Sequence, residues 1–563
     1  MKIATLTLAC LLASATVMAI ERPEKEMRAI ARTHLATQAT ARGGENAVGS
    51  VATIQLLRSA DSYSVYGSCD SEGFVIVSRD DQFPQVLGYS ASAFDEAQMP
   101  PALQWWLQAI DRSLALRKAT GQLNETTAFT ATPNFVTTTW GQEAPYNNLC
   151  PKMSLKNTLT GCVATAMAQV LRYYKYPSSS TGNSYYTLST DPTAGIGKTL
   201  SSTFEWDLML DAYTRTGGTA EERNAVATLM RDCGYAAKMC YDLAASNSHY
   251  IDAANGFVDN MRFEKGGVRF AEREYYSDAE WTSIIYTELQ SKRPILYSGV
   301  DPTSGGHAFL LSGVDEQGLV YVNWGWNGIA DGFYDLADMA PAGIQGNDAN
   351  HVDHFNQGVN MLYQLAPSAT DLGLLKPMSQ FVVYNGDYAL NRYQTTSYLL
   401  VSVTGDNTFI LNDHYLPFSG SIYLTLVNKE THSVYTYAML VTGKDNVADT
   451  LEPGMGMSFT NYANLDKLPN GTYSAYLTSR SKEENNLVPV RSAGGVKTYT
   501  LVRSSGGFTV KSDNVSAVST PHFGHEAAAV ARYSLGGQRL PQARKGLNIV
   551  RRADGSVVKE LVK

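Results

Sequence analysis

A cysteine at 162 and a histidine at 307 are the residues of this chain whose types and settings could do covalent chemistry together. Cys162 opens a run, T-G-C-V-A-T-A-M-A-Q at 160–169. Its apolar positions Val163, Ala166, Met167, Val170, Leu171 and Tyr174 recur at i, i+3, i+4 and i+7 until Pro177 stops it. That spacing marks one buried face and predicts a helix beginning at the thiol. There the unpaired backbone N–H groups and the macrodipole favour thiolate over thiol, lowering a pKa that is about 8.5 in free cysteine. His307 stands in G-G-H-A-F-L-L-S-G-V at 305–314, an alternating apolar stretch that reads as a strand, and histidine releases its proton near neutral pH. A thiolate beside an imidazole can attack a carbonyl and protonate the leaving group.

A third group would orient the imidazole. V-N-W-G-W-N-G at 322–328 offers Asn323, and Asp315 to Gly318 predicts the hairpin turn that joins the two segments. Centred on Gln317, with Gly318 at positive φ, the turn sets Leu311 opposite Asn323. Side chains alternate with period two, so this register places His307 and Asn323 on one face. A one-residue slip would separate them. Cys, His and Asn form the papain-type variant of the nucleophile–base–orienter triad.

These segments resemble the streptopain family of secreted bacterial cysteine peptidases. The resemblance is carried by W-G-Q-E-A-P-Y-N at 140–147, T-G-C-V-A-T-A-M-A-Q-V-L-R-Y-Y-K-Y-P at 160–177 and Tyr297 to Val300. It continues through G-G-H-A-F, V-N-W-G-W-N-G, and D-G-F-Y-D-L at 331–336. It implies a papain-like α+β domain with Cys162 as nucleophile, His307 as base and Gln142 as oxyanion-hole donor. Asn323 and Trp324 would orient and cover the histidine. It further implies that Val300 lines the pocket for a hydrophobic residue two places before the cut, with Gly306 and Trp326 also touching substrate. One departure is H-V-D-H at 351–354, where the family has a glycine-rich loop; two histidines and one aspartate make a poor zinc site by themselves.

The elements around this centre divide the chain. Residues 1–19, uncharged and apolar after Lys2 and ending Val-Met-Ala, read as a signal peptide. Residues 20–130 carry a charged helix start, short strands including G-F-V-I-V-S, and an amphipathic helix from Pro101 to Ala119 with Leu103, Trp106, Leu107 and Ile110 on one face. By resemblance this is an α+β inhibitory prodomain, and the polar stretch from Thr120 to Pro133 is where a processing linker falls. The catalytic domain is expected over 131–367. Short alternating strands then predict an all-β immunoglobulin-like sandwich over 368–515. Residues 516–563 form a small β module resembling the sorting segments of the type IX secretion system.

Composition agrees with a multidomain exported protein. The chain has 563 residues, suggesting several domains, and its net charge of −8 argues against nucleic acid as a partner. Charge is uneven: residues 532–563 hold eight Lys or Arg against two Asp or Glu. No run after the signal approaches membrane-spanning length. Beyond Cys162, Cys10 and Cys69, the cysteines at 150, 233 and 240 leave a disulfide such as Cys233–Cys240 or simple burial open. The expectation is a secreted or surface endopeptidase made as a self-processing zymogen. It would act on protein or peptide substrates, need no cofactor or metal, and leave through the periplasm by an outer-membrane secretion machinery. The alternatives are another papain-fold acyl transferase or amidase, and a surface adhesin with a vestigial peptidase domain.

Overall fold

The computed structural model describes residues 21–41, 54–68, 73–120, 129–301, 305–336, 359–367, 381–393, 397–405, 407–444, 447–483 and 486–513, together with the backbone of 529–533, 539–540, 546–552 and 557–562. The signal peptide, Cys69, linker residues 121–128 and the H-V-D-H segment lie outside the described residues. Two compact units result: residues 1–97 with 107–127, and residues 98–106 with 128–563.

In the first unit the helix Glu24–Ala41 packs on an antiparallel meander of Ile54–Ser59, Tyr63–Ser68, Phe74–Ser78 and Val86–Ser90. Met27, Ala31 and Leu35, one helical turn apart, meet Ile54, Tyr66, Val75 and Val77 in its core. Phe74–Ser78 is buried along its whole length, the pattern of a strand covered on both faces. The second helix, Pro101–Thr120, is divided between the units at Trp106, and its predicted face of Leu103, Trp106, Leu107 and Ile110 is fully buried.

The second unit is built around the helix Cys162–Tyr174, which is buried nearly all round from Val163 to Leu171. Lys175 ends it in the left-handed conformation, returning its N–H to the last carbonyls. Against it lie the helices Ala220–Ala236 and Tyr250–Asp259 and the strand Gly305–Val314. That strand belongs to an antiparallel run in the order Gly332–Tyr334, Val320–Asn323, Gly305–Val314, Ile295–Asp301, Asn360–Tyr363 and Arg269–Glu272. Helix and strand therefore bring residues 162 and 307 together from distant parts of the sequence.

The pairing corrects the expected register. Near the turn Val314 faces Val320, as the turn chemistry requires, but Leu310, not Leu311, faces Asn323, because a bulge lies between Leu311 and Val314. The bulge has a cause outside the hairpin. Thr132 pairs with Val314, the Phe135 N–H bonds the Ser312 carbonyl, and Gly313 lies so close to Asn134 that a Cβ would meet its backbone N at 2.9 Å.

The regular elements among the described residues of 381–512 are all strands: small sheets built on Phe381–Tyr384 with Phe409–Asn412 and on Ala389–Arg392 with Tyr398–Val403 accompany a larger one through Val434–Val441, Gly420–Asn428, Gly471–Ser481, Tyr499–Ser504 and Gly507–Ser512. One core joins them, with Leu399, Val401, Ile422, Leu424, Leu426, Leu477 and Leu501 all buried. Tyr415 donates its hydroxyl to the Val268 carbonyl, and Arg491 lies 3.9 Å over the Tyr276 ring while pairing with Glu280 at 3.1 Å. Strands Ala529–Tyr533, Arg539–Leu540, Gly546–Arg552 and Val557–Val562 form a further antiparallel sheet. No described helix is long and apolar enough to cross a membrane.

Candidate active site

The helix that carries Cys162 begins without a side-chain cap. Its preceding residue, Gly161, sits at φ 85, where an added Cβ would meet the Met239 sulfur at 2.7 Å and the Ser246 carbonyl at 3.0 Å. Only glycine fits this entry into the helix. The Val163 N–H is thereby left to the Cys162 sulfur, joined by the Ala308 N–H from the adjacent strand. Burial alone would push the thiol's pKa up; the charge and hydrogen bond of His307 with these two N–H groups outweigh it, and the pKa falls below the ordinary cysteine value. The partner shifts the opposite way. Burial disfavours imidazolium, but the Cys162 charge, the Cys162 hydrogen bond and the Trp324 carbonyl hold His307 above its usual value. Each partner thus shifts toward its charged form, the thiol down and the imidazole up.

The tautomer is fixed by geometry. His307 Nε2 lies 3.1 Å from the Trp324 carbonyl, which can only accept, so Nε2 carries a proton and Nδ1 is the nitrogen left for the sulfur. The ring at the imidazole is Trp326, edge-on at 5.9 Å. Trp324 contributes its carbonyl while its indole is buried against Phe309 and Tyr334. Its N–H bonds Asp331 Oδ1 at 2.8 Å, and burial raises that carboxyl to about 7.

Asn323 is not at the imidazole. The slipped register turns it to the other face, where its Nδ2 donates to the Thr138 carbonyl and to Gln169 Oε1 at 3.0 Å, and its Oδ1 accepts from Gln169 Nε2 and the Gly325 N–H. The expected amide–imidazole bond is therefore replaced by a backbone one, and the same slip carries position 326 toward 307.

Gln169 was not singled out by the sequence reading. Fully buried, it also accepts from Thr138 Oγ1 at 2.9 Å and from the Trp140 N–H at 3.3 Å. It ties the nucleophile's helix to both the W-G-Q loop and the Asn323 strand. Its signal was present: a polar residue seven positions after Cys162, on the same helical face, amid apolar neighbours. Tyr250 was also missed; its hydroxyl bonds Ser298 and Asn360, and burial holds it protonated near Cys162.

Gln142 is buried, and its carbonyl accepts the Thr160 N–H, fastening the W-G-Q loop to the segment that leads into Cys162. Together with Trp326 it lines a cavity of about 200 Å³. Gly299 pairs with His307 and Val300 with Gly306; a Cβ on Gly299 would fall 2.5 Å from the ring of Trp105, while the Val300 side chain lies outside the described residues. The other described cysteines are free thiols, so Cys233 and Cys240 are not bridged. Burial pushes Cys150 up to about 12 and Cys233 well above the usual value. Among the described residues no group of three or more His, Cys, Asp or Glu is arranged to hold a metal ion.

Residues 140–334 match the Peptidase C10 family, and residues 23–114 match the Spi protease inhibitor family. Over 306 residues the chain is 30% identical to the thiol protease/hemagglutinin PrtT of Porphyromonas gingivalis, covering 50% of this chain and 34% of that one. Over 294 residues it is 29% identical to streptopain of Streptococcus pyogenes serotype M28, covering 48% of this chain and 73% of that one. The solved structure of a fragment of Prevotella intermedia prointerpain A is 35% identical, with a TM-score of 0.49 over 55% of this chain and 98% of the fragment. The chain thus spans about a third of the length of PrtT.

Proposed function

From a chain that belongs, through residues 140–334, to the peptidase C10 family, we propose a secreted cysteine endopeptidase made as a self-processing zymogen. The observation that carries this reading is the Cys162–His307 couple, with the thiol lowered and the imidazole raised. Cys162 attacks the scissile carbonyl, Gln142 and the Cys162 N–H hold the oxyanion, and His307 protonates the leaving amine before water hydrolyses the thioester. Asn323 acts through Gln169 on the scaffold, and the Trp324 carbonyl orients His307. Val300, Gly306 and Trp326 contact substrate, with Val300 favouring a hydrophobic residue two places before the cut.

Residues 20–130 are proposed as the inhibitory prodomain, in keeping with their match to an inhibitor family. Trp105 against Gly299, on the strand position facing His307, supports obstruction of the cleft. Residues 131–367 are the proposed catalytic domain and 368–515 an immunoglobulin-like sandwich, the latter supported by the single core that joins its sheets. Residues 1–19 and 516–563 serve as signal and sorting module, taking the protein through the periplasm to an outer-membrane secretion machinery.

Incubation of the purified precursor with reductant tests this. The wild type shortens from its N-terminal side and then digests casein, whereas Cys162→Ala stays full length and leaves casein intact. Equal maturation of the purified Cys162→Ala protein sinks the self-processing mechanism. A wild type that matures but leaves casein intact sinks the endopeptidase reading.

A further inference from the structure

The cavity beside the catalytic couple is lined by Gln98, Gln142, Glu143, Leu159, Trp326, Asn327 and Ile329. At about 200 Å³ it lies below the roughly 300–1,000 Å³ of a small-molecule site and suits one long side chain. Its walls are built rather than incidental. Gly141 has no Cβ because one would strike the Asn327 amide at 2.5 Å, and Asn327 itself holds a left-handed φ of 57. The W-G-Q loop and the N-W-G-W-N-G turn therefore close on each other to shape the space.

Its position follows from the proposed roles, on which this inference rests. Gln142 marks where the oxyanion forms, and Trp326 flanks the imidazole that delivers a proton to the departing amine. A cavity bounded by both receives the residue that follows the scissile bond. Its chemistry is two-part: Leu159, Ile329 and the Trp326 indole offer an apolar wall, and Glu143 is the one charged residue of the lining. The Glu143 carboxylate is exposed and makes no ion pair among the described residues.

We propose that Glu143 is a specificity-determining residue, selecting substrates with a lysine or arginine immediately after the cut. The aliphatic stem lies along Leu159, Ile329 and the indole, and the cationic end meets the carboxylate. Gln98 of the pro-segment lines the cavity in the precursor and gives way to this side chain when the pro-segment leaves.

Quenched fluorescent peptides identical except for Lys or Glu after the cut test this, using the full-length protein activated with reductant. Wild type cleaves the Lys peptide with a kcat/KM about tenfold above that of the Glu peptide. Glu143→Gln removes the difference and Glu143→Lys reverses it, with iodoacetamide titration of Cys162 showing that each variant is folded. An unchanged Lys-to-Glu ratio in folded Glu143→Gln overturns the inference and leaves the peptidase reading standing. Failure of wild type to cleave either peptide, or casein, overturns that reading itself.

Discussion

The helices beginning at Cys162, Ala220 and Asp278 start in opposite ways. Thr219 and Ser277 each form a capping box, with Glu222 and Glu280 completing it, so orphan N–H groups of the first turn are satisfied by side chains. Gly161 offers no side chain, and the Val163 N–H is directed at the sulfur. A cap stabilises a helix; its omission leaves donors available to an anion. The thiols repeat the lesson, since burial raises Cys150 and Cys233, while the more accessible Cys162 is lowered by His307 and two N–H groups. Where burial outweighs the neighbouring charges and donors, as at Cys150 despite Arg231 and Tyr241, the thiol stays protonated.

The comparison breaks most completely at His307. His307→Ala leaves Cys162 with burial and N–H groups alone, so its thiol titrates higher and hydrolysis falls by roughly 10⁴–10⁶-fold, read from iodoacetamide rates against pH and from peptide turnover. In the wild type, activity rises as pH passes the thiol's lowered pKa and falls as pH passes the imidazolium's raised one. A single-limbed profile would show that the couple is not the active form. Gln142→Ala, which removes a proposed oxyanion donor, is expected to lower kcat by roughly 10²–10³ with KM little changed.

Gln169→Leu takes one partner from each end of the Asn323 amide and leaves the Thr138 hydroxyl and the Trp140 N–H without theirs, lowering stability by about 2–3 kcal/mol in urea unfolding and reducing activity as the W-G-Q loop loosens. Activity retained with full stability would remove Gln169 from the scaffold of the site. The smallest effect belongs to the capped helix: Ser277→Ala costs about 1 kcal/mol of stability and leaves kcat unchanged. A change in kcat there would contradict the division between capped and uncapped ends.

Much of this was legible because local chemistry decided it. The Cys162 helix, its stop before Pro177, the Asp315–Gly318 turn and the amphipathic face of Pro101–Thr120 follow from periodicity and turn residues. The placement of Asn323 was not, because register beyond the turn depends on a bulge imposed by Thr132 to Phe135, far away in sequence. The roles of the two tryptophans followed suit: the slip that moved Asn323 away brought Trp326, not the indole of Trp324, to the imidazole. Later strands such as Phe381–Tyr384 and Phe459–Asn464 escaped notice because they are short and their pairing partners lie elsewhere in the chain.

The pairing of Thr132 with Val314 also bears on where the precursor can be severed. A substrate entering a peptidase cleft lies extended and lends its amides to the enzyme. Those of Thr132 and Phe135 are already committed to Val314 and Ser312, and the Phe129 ring is packed on Tyr286 at 4.4 Å. For the proposed self-processing, these pairings place the expected scissile bond before Thr132, with the new chain end held on the strand that carries His307. Edman sequencing of the matured protein should begin upstream of residue 132.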